Sequence, residues 1–483
     1  MKGWRMHVSA TWLSAWKRRL GRLRNLYRDP LPRNRELVFE DYVLRFPEIA
    51  FIYRAGGIRY ESTVTLDLPP DVLSLLNREE HHPLFVNLGL SFAAGHFFLG
   101  DFATLRCDCA RLEQRDCRLL EGVLQEALGE CRYLLGLDPS RPVRVVSSGN
   151  VPLRPLPFPR AQNEALLLNG GGKDSCVAAE LLKGAGLPFS WMVAYSNEPR
   201  TRVIERSGNH ECHIIRFELS DDVRRDAVYP WGANPYLYTI AAAGLIVAYL
   251  EGYTYMVTGM EHSADDPNLV YKGVGVNHQA GKTSAFENFF NEFVHRSVLE
   301  EAKLFSIVRP FTDLRLAEMF SHYRQYFDAF FSCNMGMGTG TWCKACYKCA
   351  FTYMALYPFM ERQELAGIFG GQLFDIALMR RYMIELATAP IKPWDCVGTR
   401  EESRLALHYC LKKSPDMDFG EWPRRRDLEK ACEDINEQAA CRDIMYTFHT
   451  PHNIPGCVEQ YLRDEAGTSL HKTRQRWPGL VQS

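Results

Sequence analysis

The chain changes texture along its length. From Arg35 to about Val146 it reads as a mixed α/β unit. Ile58-Arg59-Tyr60-Glu61-Ser62-Thr63-Val64-Thr65-Leu66 alternates apolar and polar residues, the pattern of a half-buried strand. Leu119, Leu120, Val123, Leu124, Ala127 and Leu128 then fall on one stripe and predict a helix from about Leu112 to Leu134. Gly149, Asn150, Pro152, Pro155, Pro157 and Pro159 follow, with four prolines in eight residues. Such a run denies both helix and central strand, and a domain boundary is placed there.

Beyond it, short apolar runs alternate with helical ones. Ala165–Asn169, Ser190–Tyr195, His213–Phe217 and Tyr253–Thr258 read as strands. Cys176–Gly184, Arg200–Arg206 and residues 236–250 read as helices, the first ending in glycine and the second followed by Gly208. Units of this kind imply a parallel sheet with helices on both faces. Past about Ala302 the chain is mostly helical and carries many cysteines. The expected organisation is a segment 1–34, an N-terminal α+β domain 35–148, an α/β domain 160–301 and a helical, cysteine-bearing region 302–483. The segment 1–34 carries Trp12, Leu13, Trp16, Leu20 and Leu23 on one helical face and eight basic residues among its first thirty against one acid, Asp29. That composition suits an added surface helix or a transit peptide, and nothing else in the chain points to an organelle. The apolar run Tyr236–Leu250 falls short of the ~20 residues a bilayer needs, so it reads as a buried helix and no membrane span is expected.

Composition narrows the class. There are 483 residues, 46% hydrophobic, with 57 Lys and Arg against 58 Asp and Glu, a formal charge of −1. This is a folded protein with no global charge for gripping a polyanion. Its 15 cysteines, an odd number, argue for reduced thiols or a metal site in a reducing, cytoplasmic setting.

The first chemical signal is Asn169-Gly170-Gly171-Gly172-Lys173-Asp174-Ser175, between a strand and a helix. Glycines allow a sharp turn and a close backbone approach, and the helix start presents free N–H groups to an anion. A ligand-free turn is the plain alternative, weakened by three glycines followed by Lys-Asp-Ser. The turn is not a Walker A loop, because Asp174 follows Gly172-Lys173; Gly281-Lys282-Thr283 fails on glycine spacing. It is no Rossmann fingerprint either. It resembles the PP-loop, Ser-Gly-Gly-x-Asp-Ser, of ATP pyrophosphatases, with Gly170 at the leading serine position. The second signal is Cys333 followed by Cys343-x-x-Cys346-x-x-Cys349, which can close a tetrahedral Zn²⁺ site of structural type. Free buried thiols or an iron–sulfur cluster with an outside ligand are the alternatives. Some PP-loop enzymes, the 7-cyano-7-deazaguanine synthases among them, resemble this chain in carrying such an arrangement.

Other stretches are weak alone: Glu261-His262, Val276-Asn277-His278-Gln279, Lys282, Ala285-Phe286-Glu287, Arg309-Pro310, Cys396-Val397-Gly398, Arg400 and Glu402-Ser403-Arg404. A single histidine is more often a satisfied structural residue than a catalyst. In this order after the glycine turn, however, they resemble one family, the ATP-dependent UDP-N-acetylmuramoyl-L-alanyl-L-glutamate epimerases of peptidoglycan synthesis. The resemblance runs from about residue 36 to the C-terminus and includes Gly at position 170. Residues 196–235 and Ala264–Gly275 differ from the family in length and sequence and are expected to contact substrate.

The resemblance implies an adenine nucleotide alpha hydrolase-like fold and a peptide substrate ending in L-glutamate. ATP with Mg²⁺ would adenylate its terminal carboxylate, acidifying the α-proton for removal and return on the other face. Gly170, Gly171, Gly172, Lys173, Asp174 and Ser175 would hold the nucleotide. His278 is then the candidate acid/base, Lys282 an electrostatic stabiliser, and Glu261 and Glu287 candidates for Mg²⁺ or a second base. Asn277, Gln279, Arg309, Arg400 and Arg404 would bind substrate. Other adenylating reactions, carboxylate amidation or tRNA base modification, and a non-catalytic zinc-stabilised nucleotide-binding module are the rivals. Neutral charge speaks against tRNA, so no nucleic-acid partner is expected; oligomeric state is left open.

Overall fold

The computed structural model describes residues 36–158, 162–226, 236–337 and 339–481. The arginine-rich segment 1–34 and Pro159 lie outside the described residues. Twelve strands appear among the described residues: β1 (Glu36–Arg45), β2 (Glu48–Ala55), β3 (Ile58–Asp67), β4 (Thr104–Cys107), β5 (Arg144–Ser147), β6 (Gln162–Leu168), β7 (Phe189–Ala194), β8 (Cys212–Glu218), β9 (Tyr253–Thr258), β10 (Leu269–Tyr271), β11 (Val274–Val276) and β12 (Lys303–Ser306). Ten of them form one sheet in the order β12-β9-β6-β7-β8-β3-β2-β1-β4-β5, and β10 and β11 form a separate hairpin.

The strands from β12 to β8 are all parallel. This is the doubly covered parallel sheet that the alternating pattern predicts. Its strands are apolar on both faces: Ala165 and Leu167 join one core with the C-terminal helices, while Leu166 and Leu168 join another with the helices Arg78–His96 and Tyr236–Glu251. β3 pairs antiparallel with β8, Leu66 facing Ile215, so the sheet continues without a break into the strands that precede the proline-rich segment.

Two elements differ from the sequence pattern. The helix after β6 spans Lys173–Gly184, with Gly172 as its N-cap, so it begins before Cys176. Lys173 and Asp174 are polar and do not register on an apolar stripe. β12, four residues long, is a strand inside the region read as helical; a run so short carries no resolvable period. The helix C-cap at Gly208 is left-handed, φ 74°, as the glycine there suggests. Among the described residues no helix is long and apolar enough to cross a membrane.

The proline-rich segment packs tightly at its start. A Cβ placed on Gly149 would stand 2.5 Å from the Ala110 backbone nitrogen. Gly149→Ala is therefore expected to cost about 1–3 kcal/mol, the usual range for an overpacked site, read as a lowered midpoint in chemical denaturation.

Candidate active site and cysteine cluster

From β6 the chain runs outward through β7 to β8, then returns to the other side of β6 for β9 and β12. The loops after β6 and β9 thus diverge at the C-terminal strand ends, where open α/β sheets form their ligand crevice. The glycine turn lies there. Asn169 Oδ1 accepts from Gly171 N at 2.7 Å, and Gly170 N donates to Ser175 Oγ at 3.1 Å. Gly171 has φ +82°, a conformation that favours glycine. Phe331 N donates to its carbonyl at 2.7 Å. A Cβ on Gly172 would come within 3.1 Å of Ser332 Oγ, and one on Gly259, after β9, within 2.9 Å of the Asp174 carbonyl. The glycines let three segments close around one helix N-terminus.

Buried charges converge beside it. Lys173 Nζ pairs with Asp174 and with Asp313, the latter from the loop after β12. Lys173, Asp313 and Glu261 are each at most 4% exposed. Burial disfavours the Lys173 ammonium, but Asp174, Asp313 and Glu261 outweigh it and raise its pKa. Glu261 moves the other way for a carboxyl: burial, then Asp313 and Asp174, push it up to about 7 against the pull of Lys282 and Lys173. Three carboxylates, Asp174, Asp313 and Glu261, thus share one field with the Lys173 ammonium.

A second cluster adjoins the first. The β10–β11 hairpin turns at Lys272 and Gly273, both with positive φ, and leads into Asn277, His278 and Gln279. His278 N donates to Asn268 Oδ1 at 2.7 Å, and His278 Nδ1 meets Glu130 Oε2 at 2.8 Å. Burial disfavours the imidazolium, but hydrogen bonds to Cys396 and Glu130, with their charges, raise its pKa to about 10. At neutral pH His278 is thus an acid and a cation, not a free base. Lys282 feels both clusters: burial is outweighed by Cys396, Glu261 and Asp174, and its ammonium is held above the ordinary range. Asn277 Nδ2 donates to Ala264 O at 2.8 Å, and Gln279 Nε2 to Val397 O at 3.4 Å.

Of the remaining candidates, Arg309 and Glu287 adjoin this centre. Glu287 accepts from Ser306 N at 3.1 Å, Arg309 Nη2 at 3.3 Å and Asn453 Nδ2 at 2.9 Å. Arg309, 1% exposed, also donates to the Glu261 and Lys282 carbonyls. Both tie loops together. Arg400 donates to Pro390 O at 3.1 Å, and Arg404 stands beside Cys432. Glu402 caps two segments, accepting from Leu314 N and Thr399 N at 2.9 and 2.7 Å.

Cys333, Cys343, Cys346 and Cys349 place their sulfurs within 4.8 Å of one another. Two pairs stand 4.0 and 3.8 Å apart. A thiolate tetrahedron with bonds of about 2.3 Å has edges of about 3.8 Å, so the four fit Zn²⁺ and leave no open position. Backbone N–H groups of Gly336, Cys343, Ala345 and Cys349 point to these sulfurs.

Sequence reasoning had not marked Glu130, Asn268, Asp313 or Lys348, nor given Cys396 a role. Glu130 had one legible signal: it is a charged residue on the stripe continued by Ala127, Leu128 and Cys131, and it is buried.

Comparison with known proteins places the chain. A family model described as the MurL N-terminal domain matches residues 38–307, and one described as the MurL C-terminal domain matches residues 329–442. The chain is 28% identical over 368 residues to a UDP-N-acetyl-alpha-D-muramoyl-L-alanyl-L-glutamate epimerase of Xanthomonas oryzae pv. oryzae, covering 74% of this chain and 80% of that one. It is 30% identical over 366 residues to the protein of that name from Micromonospora sp., covering 72% and 78%. No solved structure matches at a significant level.

The thiol cluster has a direct check. Elemental analysis of purified protein is expected to find about one zinc per chain and none in Cys346→Ser. Iron with acid-labile sulfide would overturn the zinc assignment.

Proposed function

The chain belongs to the MurL family of epimerases, and from that premise we propose that it inverts the terminal glutamate of a UDP-muramoyl-L-alanyl-L-glutamate peptide, using ATP to activate the glutamate carboxylate. The observation that carries this reading is the position of Lys282. It couples a phosphate-type loop with its acid cluster to a group of proton-handling residues. A site with both ends suits a reaction in which activation precedes proton transfer.

The glycine turn and helix start receive the phosphates, where N–H groups and the helix dipole favour negative charge. Mg²⁺, held by Asp174 and Glu261, would supply charge to the departing pyrophosphate. A carboxylate oxygen of the substrate attacks the α-phosphorus, and the bond to pyrophosphate breaks. The acyl adenylate no longer carries carboxylate charge beside Cα, so the α-proton becomes acidic. Lys282 and His278, both cationic, face the enolate charge that develops when it leaves. Return of a proton on the opposite face and hydrolysis of the mixed anhydride yield the D-glutamyl product and AMP. Zn²⁺ in the thiol cluster is structural in this reading. None of the 15 cysteines is in a disulfide, in keeping with a cytoplasmic setting.

Incubation with ATP, Mg²⁺ and UDP-muramoyl-L-Ala-L-Glu in D2O tests the class. Deuterium at the glutamate α-carbon with AMP and pyrophosphate is expected. ADP in place of AMP would overturn the reading, and AMP without exchange would indicate a ligase or amidating enzyme. His278→Ala is expected to lower turnover at least ~10-fold, about 1.4 kcal/mol of barrier; a smaller effect would remove it from the mechanism.

A further inference from the structure

Cys396 stands outside the four-thiol cluster, in the segment between the helices Ala377–Thr388 and Arg400–Lys413. Its thiol shares one electrostatic neighbourhood with the side chains of His278 and Lys282, and its segment meets theirs where Gln279 Nε2 donates to Val397 O at 3.4 Å. His278 Nδ1 meets Glu130 Oε2 at 2.8 Å. Thiol, imidazole and carboxylate thus gather in one cluster, the residue types of a nucleophile or base, its partner and an orienting acid.

The segment is tied down from two sides. Asp395 accepts from Cys396 N at 2.9 Å, Asn334 Nδ2 at 3.0 Å and Lys348 N at 3.1 Å. Lys348 Nζ donates to the Cys396 carbonyl. On the hairpin side, Asn268 Nδ2 donates to the carbonyls of Lys392 and Pro393 at 3.1 and 2.9 Å while its Oδ1 holds His278 N. One asparagine therefore sets the thiol loop against the imidazole loop. Cys396 is also only partly buried, unlike Cys176 and Cys410.

We propose that Cys396 is a catalytic residue, the thiolate that takes an α-proton from the activated glutamyl group, with His278 and Glu130 as its positioning residues. This rests on the adenylation reading above. The charges around the sulfur support it. Burial raises the thiol's pKa, but Lys282, His278 and Lys348 outweigh it and bring it to about 6. Cys176 and Cys410, each with a single lysine that does not offset burial, are pushed well above the ordinary value. Because His278 keeps its proton up to about pH 10, the pair is thiolate and imidazolium at neutral pH, and only the sulfur can accept.

In the step, the α C–H bond breaks, its electron pair enters the activated carbonyl and the proton passes to sulfur. A new C–H bond forms on the other face with a proton from water, and the thiol's proton returns to the hydroxide left behind, so the cycle balances.

The test separates the two half-reactions in Cys396→Ser and Cys396→Ala. Pyrophosphate exchange into ATP is expected within about threefold of the unmodified enzyme. Epimerisation is expected to fall at least ~100-fold, the scale of a lost general base. Epimerisation within about threefold would overturn the proposal, as would loss of pyrophosphate exchange along with it. A second measurement, peptide-mapped alkylation by iodoacetamide, is expected to show Cys396 reacting with a midpoint near pH 6 and shifted upward in His278→Ala. A midpoint near the ordinary thiol value of about 8.5 would overturn it. If the unmodified enzyme shows no pyrophosphate exchange, the adenylation reading falls instead, and the alkylation profile decides for or against the thiolate.

Discussion

The Lys173 ammonium is almost wholly enclosed and held by two carboxylates. A buried charge without a partner costs several kcal/mol, so this contact constrains everything attached to it. Lys173 is the first residue of the helix after the glycine turn, and Asp313 opens the helix after the β12 loop. The loops after β6 and β12 therefore cannot part without exposing an unpaired charge. Glu261, from the loop after β9, shares the same field. The way these loops close at the end of the sheet is therefore set by buried charge.

The same field reaches the proton-handling group through Lys282. Glu261 and Cys396 both sense it, and their pKa values move in opposite directions from their ordinary ones. The Glu261 carboxyl is raised by burial, Asp313 and Asp174, while the Cys396 thiol is lowered by Lys282, His278 and Lys348. Neither condition is a property of the residue type. Each follows from which charges the fold brings within reach.

The thiol cluster acts on both ends from a distance. Cys333 follows Ser332, which stands against Gly172 of the glycine turn. Lys348, between Cys346 and Cys349, grips the carbonyl of Cys396 and the carboxylate of Asp395. A metal ion closing the four thiols would fix both contacts at once, a structural effect that needs no open ligand position.

What the sequence determined by itself is local: the parallel strands and their helices, the glycine turn at a helix start and the CxxCxxC spacing. Each is written in neighbouring residues, because backbone period, turn geometry and metal chelation act over short stretches. Family resemblance also singled out His278 and Lys282. Arg309 and Glu287, named from the same resemblance, tie loops together beside them. Only the tertiary structure decided that Glu130 would meet His278 across 148 positions of chain, that Asp313 would face Lys173, and that Cys396 would stand among Lys282, His278 and Lys348. Those pairings depend on where distant segments cross at the end of the sheet, and a buried charge is settled by the neighbours it finds there.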